Sequence, residues 1–304
     1  MGNQTYVLVT AAYNEEGFIT HTIESVVSQT IPPMEWVIVS DASRDRTEKI
    51  IESYAQRHSY IRLLRITEDH PRNFESQVRA INLAFALLES TNYEFIGNLD
   101  ADVSFGSNYF RDLLGRFESD PKLGLAGGII QERDGWIQKP PLGEIARSVP
   151  QAVQLFRRAC HDALGGRYRA LRYGGSDTYA EVTARMFGWE VESFPDLVVR
   201  HHRYGGSAGG LFRGRFRQGL MDFSLGYLPV FEAVKCARRL RERPVILGAL
   251  ARMAGYSWSH LCMRERLVPD EFVQFLGTEQ RQRLRAWLLR LRHIGKVRRI
   301  PTCG

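Results

Sequence analysis

The feature that most limits what this chain can become is an alternation in its first hundred residues. Short apolar runs rich in β-branched residues, at 6–10, 36–39, 61–64 and 94–99, are separated by segments 16–27, 46–56 and 75–88, where apolar residues recur at helical spacing. That pattern predicts an α/β domain in which crossover helices join parallel strands. In open sheets of this kind, ligands gather beyond the carboxyl ends of the strands. The residues found there are acidic and polar: Ala12-Tyr13-Asn14-Glu15-Glu16 after the first strand, Ser40-Asp41-Ala42-Ser43-Arg44-Asp45 after the second, and Asp100-Ala101-Asp102 after the fourth.

From residue 109 to about 195 the pattern mixes helices (110–118, 153–163, 178–187) with strands (123–130, 191–194), as a subdomain continuing the same sheet. The sequence then changes to Gly205-Gly206-Ser207-Ala208-Gly209-Gly210 and to mainly helical sequence through Leu291. This divides the chain into a catalytic part, 1–204, and a C-terminal region, 205–304. The first part subdivides into a nucleotide-binding portion of about 1–104 and an acceptor-side portion of about 105–204.

Charge follows the same division. Residues 1–200 hold 21 Lys and Arg against 27 Asp and Glu, whereas residues 201–304 hold 20 against 7. An arginine-rich tail suits nucleic acid, an anionic membrane surface or a phosphate-bearing substrate, or else a solvated helical surface. The longest apolar stretch there, 245–263, is interrupted by Arg252, Ser257, Ser259 and His260, too polar for a spanning helix. It reads as a helix packed on the main domain or lying in a membrane interface. Cys160, Cys236, Cys262 and Cys303 show neither disulfide-framework nor zinc-ligand spacing, and no basic segment precedes the first apolar run. A reducing, cytoplasmic setting is expected, with peripheral attachment to the inner face of the cell membrane.

Asp100 and Asp102, two apart at a strand end, are expected to point the same way. Their mutual repulsion calls for a compensating cation or a hydroxyl donor. Together, Ala12-Tyr13-Asn14-Glu15-Glu16, Val39-Ser40-Asp41-Ala42-Ser43-Arg44-Asp45-Arg46-Thr47 and Asn98-Leu99-Asp100-Ala101-Asp102 resemble the family 2 glycosyltransferases of GT-A fold over roughly residues 5–205. The later helices are similar to those of bacterial exopolysaccharide-assembly enzymes.

The resemblance implies a GT-A fold, a Rossmann-like mixed sheet flanked by helices, with a basic helical extension. It implies that Ala12, Tyr13 and Glu15 line a nucleotide-sugar pocket and that Asp41 accepts a hydrogen bond from the base. Asp100 would approach the ribose or metal, and Asp102 would bind Mn2+ or Mg2+. In Arg172-Tyr173-Gly174-Gly175-Ser176-Asp177, Asp177 matches the family's catalytic base, while Ser176 stands where the family has an acidic neighbour; a plain helix N-cap is the alternative. Of His201 and His202, one imidazole at most should enter the site as a metal or diphosphate ligand. Arg213, Arg215 and Arg217, after the glycine-rich run, suit either a closure loop that grips diphosphate or a surface linker.

The function expected is an inverting, metal-dependent, non-processive hexosyl transfer from a nucleotide-diphosphate sugar, UDP-linked by family habit, to a hydroxyl of a saccharide or lipid-linked acceptor in polysaccharide assembly. The Gln-x-x-Arg-Trp signature of processive synthases is absent. Two other classes stay open. A nucleotidyltransferase should carry a glycine-rich basic loop where Tyr13-Asn14-Glu15-Glu16 stands, and a non-enzymatic basic binding module gives no reason for the acidic strand ends.

Overall fold

A computed structural model describes residues 4–68, 73–132, 135, 137, 147–203, 210–240, 245–262 and 266–297, with side chains to residue 289. The described residues form two compact units that part at about residue 205.

In the first unit the expected parallel strands are present: β1 (Tyr6–Ala12), β2 (Glu35–Asp41), β3 (Ile61–Ile66) and β4 (Phe95–Leu99). The strands β1, β2 and β4 are buried along almost their whole length because helices cover both sheet faces. Their alternation assigns Tyr6, Leu8, Trp36 and Ile38 to one core and Val7, Val9, Val37 and Val39 to the other. Helices α1 (Ile19–Val27) and α2 (Thr47–Ala55) fill the first core, and α3 (Phe74–Ala86) the second. Helix α3 starts from a capping box in which Asn73 and Ser76 satisfy each other's backbone N–H groups.

The remaining strands are β5 (Val103–Ser104), β6 (Leu123–Gln131), β7 (Val153–Arg157) and β8 (Glu190–His201). Helix α4 (Tyr109–Ser119) packs on the first core, while α5 (Arg158–Ala163) and α6 (Ser176–Met186) lie on the second. The eight strands run in the order β3-β2-β1-β4-β7-β6-β8-β5. Pairing is parallel from β3 to β4 and reverses at β7, which is antiparallel to both β4 and β6. The helix expected over 153–163 is therefore strand over its first five residues, β7, and helix, α5, over the remaining six. Val153 and Leu155 enter one core and Phe156 the other, a period of two that the short run hides beside the helical segment following it. Strand β8 joins the strand expected over 191–194 to the strand-like run 197–200 that leads to the histidines. A register shift opposite Gly128 and Ile129 lets it carry Pro195 and continue to His201.

The parallel register sets Ala12 beside Ser40 and Val9 beside Asn98. The ends of β1, β2 and β4 therefore share one edge of the sheet.

The second unit is helical: α7 (Leu211–Ser224), α8 (Pro229–Arg238), α9 (Leu247–Cys262) and α10 (Asp270–Val297). Helices α7 and α9 cross with their backbones touching. A Cβ added at Gly219 would collide with the Arg252 carbonyl, and one at Gly255 with the Phe216 carbonyl. Among the described residues, no helix is long and apolar enough to cross a membrane.

Candidate active site

Two loops form one rim of the shared edge. After β1, Asn14 adopts a left-handed conformation (φ 52°), and after β2, Ala42 does the same (φ 54°). Such backbone is unfavourable for a residue with a Cβ and persists only where its surroundings enforce it. Here the enforcement is reciprocal. Asn14 N–H donates to Ser43 Oγ (3.1 Å), Arg44 N–H to Asn14 Oδ1 (2.8 Å), Glu15 N–H to Thr47 Oγ1 (2.7 Å) and Glu16 N–H to Asp45 Oδ2 (3.1 Å). Asp45 also accepts from the Thr47 N–H at 2.9 Å; Arg46 holds the N-cap position, so Asp45 sits just ahead of α2, satisfies its first N–H and joins the loops. Between them Ala12 is buried, Tyr13 is partly exposed and Asp41 is buried at the end of β2.

Asp100 and Asp102 lie in a turn just past β4 rather than in extended strand, so their proximity comes from the turn and not from pleat alternation. The turn is tied down by Asp100 N–H donating to the Ala152 carbonyl (3.0 Å) and His202 N–H donating to the Asp102 carbonyl (2.9 Å). Burial first, and the Asp102 charge second, hold the Asp100 carboxyl well above the usual carboxylate range.

Strand β8 delivers the two histidines to different neighbours. His201 sets Nε2 3.3 Å from Asp102 and Nδ1 3.5 Å from Glu132. Burial alone would lower its pKa, but Asp102, Glu132 and Asp100 together outweigh that and push it up to about 9. The His202 ring turns instead to Ser104 Oγ (2.8 Å) and stacks on His21 with centroids 4.6 Å apart. Beyond them, Arg203 lies 2.6 Å from Glu15 and 3.9 Å from Asp102. Glu15 is nevertheless pushed up to about 8, by burial first and by Asp102, Asp100 and Asp45 against the opposing Arg203.

Asp177 enters from α6. Gly175, left-handed at φ 91°, holds the N-cap position, so Asp177 sits inside the first turn and is not the cap. The loop before it is clamped. Asn82 exchanges two 2.8 Å hydrogen bonds with the Tyr168 backbone, and Ser176 Oγ donates to the Arg169 carbonyl at 2.7 Å. Burial raises the Asp177 pKa, and its charge reaches Asp100, Tyr168 and Glu181. Glu181, one turn along α6, accepts from the Val149 N–H (2.7 Å) and is pushed up to about 8 by burial and by Asp177.

The structure thus gathers Glu15, Asp100, Asp102 and His201, with Asp177 in electrostatic range and Asp41 two strands away on the same edge. Arg213, Arg215 and Arg217 lie on helix α7 of the second unit, not on a closure loop; residues 204–209 fall outside those described. Glu132, Arg203 and Glu181 are additions to the residues expected. The first follows β6 and would have been found by reading every strand end alike.

Among the described residues, no three His, Cys, Asp or Glu side chains form a ready-made metal cage. The donor chemistry still suits a hard divalent ion. Asp100 and Asp102 supply oxygen, and Mg2+ or Mn2+ ordinarily completes its shell with phosphate and water. Glu132 Oε2 is buried with no hydrogen bond, and His201 Nδ1 faces it at 3.5 Å.

The chain matches the model of "Glycosyl transferase family 2" over residues 7–175. It is 24% identical over 220 residues to minor teichoic acid biosynthesis protein GgaA of Bacillus subtilis, covering 70% of this chain and 47% of that protein. It is 27% identical over 118 residues to poly-beta-1,6-N-acetyl-D-glucosamine synthase of Staphylococcus epidermidis, covering 39% and 26%. The chain therefore spans about half the length, or less, of these curated relatives. Among solved structures, mannosyltransferase PcManGT of Pyrobaculum calidifontis with GDP-Man and Mn2+ superposes with a TM-score of 0.56 at 17% identity, covering 93% of this chain and 82% of that one. S. aureus TarS 1-349 with UDP-GlcNAc gives 0.54 at 15%, covering 90% and 78%. At these identities the two structures establish the fold alone, which is GT-A.

Proposed function

Because the chain belongs to glycosyl transferase family 2, we propose that this glycosyltransferase moves a hexose, with inversion, from a nucleotide-diphosphate sugar to a hydroxyl of a saccharide or lipid-linked acceptor. The observation that carries this reading is the convergence of Asp100 and Asp102 on His201, with Glu15 paired to Arg203 beside Asp102, at the carboxyl edge of the sheet. A carboxylate cluster of that kind accepts ribose hydroxyls and base N–H groups. Ala12, Tyr13 and Glu15 line the nucleotide pocket, and Asp41 reads the base. A UDP-sugar is the donor proposed, in keeping with the UDP-GlcNAc bound by TarS.

Asp102, with Asp100, would hold Mn2+ or Mg2+, whose charge offsets that building on the leaving diphosphate. His201 holds Asp102 in place from one side and Arg203 from the other. Asp177 takes the proton from the acceptor hydroxyl as its oxygen attacks the anomeric carbon opposite the diphosphate. Its raised pKa makes it a stronger proton acceptor than an ordinary carboxylate. Arg213, Arg215 and Arg217 are proposed as diphosphate or acceptor contacts. One sugar is added per encounter, at the periphery of the inner membrane face in glycan assembly.

The test is a thermal-shift screen of UDP-, GDP- and dTDP-sugars with and without Mn2+, on the wild type and on Asp102→Ala, followed by product analysis. Metal-dependent stabilisation of roughly 2–3 kcal/mol by one nucleotide class at about a hundredfold excess over Kd, lost in Asp102→Ala, is the expected result. Release of pyrophosphate in place of a nucleoside diphosphate would make the protein a nucleotidyltransferase and end this reading.

A further inference from the structure

Helix α9 is amphipathic in the opposite sense to a helix on a water-soluble bundle. Its inner side buries Gly248, Ala249, Arg252, Gly255, Tyr256 and Ser259. Its outer side exposes Leu247, Leu250, Trp258 and Leu261, the last at 80% of its full accessible surface, together with Ala254. These five recur at spacings of three and four, which is one continuous stripe of a helix. Val245 and Ile246, also exposed, extend the stripe at its start. An isolated exposed leucine needs no explanation, but a contiguous apolar face does.

The charges nearby are as one-sided as the apolar groups. Between residues 211 and 262, the described acids are Asp222 and Glu232, both fully buried against Lys235 and Arg252. The other described charges there, Arg213, Arg215, Arg217, Arg238 and Arg239, are all cationic and are exposed or half-exposed. We propose that helices α7 to α9 form a surface that docks on an anionic lipid bilayer, with the Leu247, Leu250, Trp258 and Leu261 face of α9 lying in the headgroup interface. Apolar burial and attraction to anionic headgroups act together in such a contact. A second copy of this chain would set arginines against arginines, and a nucleic acid would leave the leucine and tryptophan stripe without a partner. The inference deepens the membrane-periphery reading and rests on it; the α9 stripe, unlike Arg213, Arg215 and Arg217, takes no part in the transfer chemistry proposed above.

The test is flotation of the full chain with vesicles of phosphatidylcholine alone and of equal parts phosphatidylcholine and phosphatidylglycerol. Binding to the mixed vesicles is expected, weaker by about tenfold or more on the neutral vesicles and at high salt. Leu250→Glu combined with Leu261→Glu should lose about tenfold or more of the binding, while thermal unfolding and nucleoside diphosphate release on a soluble acceptor stay unchanged. If that double variant does not fold, the tryptophan emission of the wild type minus that of Trp258→Phe answers the same question, since a blue shift on adding mixed vesicles is required. Equal binding by variant and wild type, no binding at all, or a dimer in light scattering that the double variant dissolves would each overturn the proposal. Lost transfer with intact vesicle binding would instead count against the enzymatic reading alone.

Discussion

Each unit of the molecule holds a cluster of buried charge, and the two clusters are built on opposite terms. In the helical unit, Asp222 and Glu232 meet Lys235 and Arg252. Lys235 Nζ lies 2.9 Å from Asp222, and Arg252 Nε lies 2.8 Å from Asp222 and 2.9 Å from Glu232. Although burial raises Asp222, Arg252 and Lys235 outweigh it and hold its carboxyl below the ordinary range, while Glu232 is raised, by burial first and by Asp222. In the sheet unit, Glu15, Asp100, Asp102 and Glu132 meet, among the described residues, His201 and Arg203, and Glu15 and Asp100 are pushed up. Equal numbers of opposite charges in contact make a staple. An excess of carboxylates at the mouth of a sheet makes a receptor for something positive or proton-rich, at a cost in stability that function explains.

This contrast predicts that removing a charge costs activity in one cluster and stability in the other. Asp177→Asn is expected to lower kcat by about 10²–10⁴ in a nucleoside diphosphate release assay. Donor binding should be kept, and the thermal transition should not drop. Arg252→Met should do the reverse, destabilising the protein by roughly 3–5 kcal/mol in denaturant titration because it leaves buried acids underpaired. Per folded molecule, turnover in solution should be unaffected. A large loss of stability in the first variant would make the two clusters alike and break the comparison.

Acidity sharpens it. Glu181 is raised to about 8 in the folded state, so the folded chain keeps a proton that the unfolded chain releases above its ordinary value of 4.5. Its contribution to stability is therefore full below that value and is lost as pH rises towards 8. Asp222 has the opposite sign, with a contribution present above the ordinary carboxylate pKa and lost on acidification. Glu181→Gln should flatten the alkaline side of a Tm-against-pH curve and leave the acid side intact. The smallest effect expected is that of Asp45→Ala, which removes the bond to the first N–H of α2 and a loop-to-loop bond. It should cost about 0.5–2 kcal/mol, measured as a fall in Tm.

Much of the sheet unit is legible in the sequence because each parallel strand is a short apolar run and its end is marked by polar residues. The positions of Asp41, Asp100 and Asp102 follow from that rule alone. Other features depend on tertiary contacts that no local pattern records. Residues 153–157 are a strand because β4 and β6 flank them. Which histidine meets Asp102 is set by the bulged path of β8 past Pro195. Glu132 belongs with His201 only because β6 and β8 are neighbours. The helical unit is less legible still. Arg252 looks from the sequence like an interruption of an apolar stretch, whereas it is the centre of the buried ionic cluster, and the leucines around it face outward.

The pairing of Val103 with His201, strengthened by the bond from His202 N–H to the Asp102 carbonyl, joins residues almost a hundred positions apart. A ribosome therefore releases the acidic turn long before it releases the imidazole and guanidinium that brace it. Until His201 and Arg203 leave the exit tunnel, the nascent chain carries its carboxylates without these cationic partners.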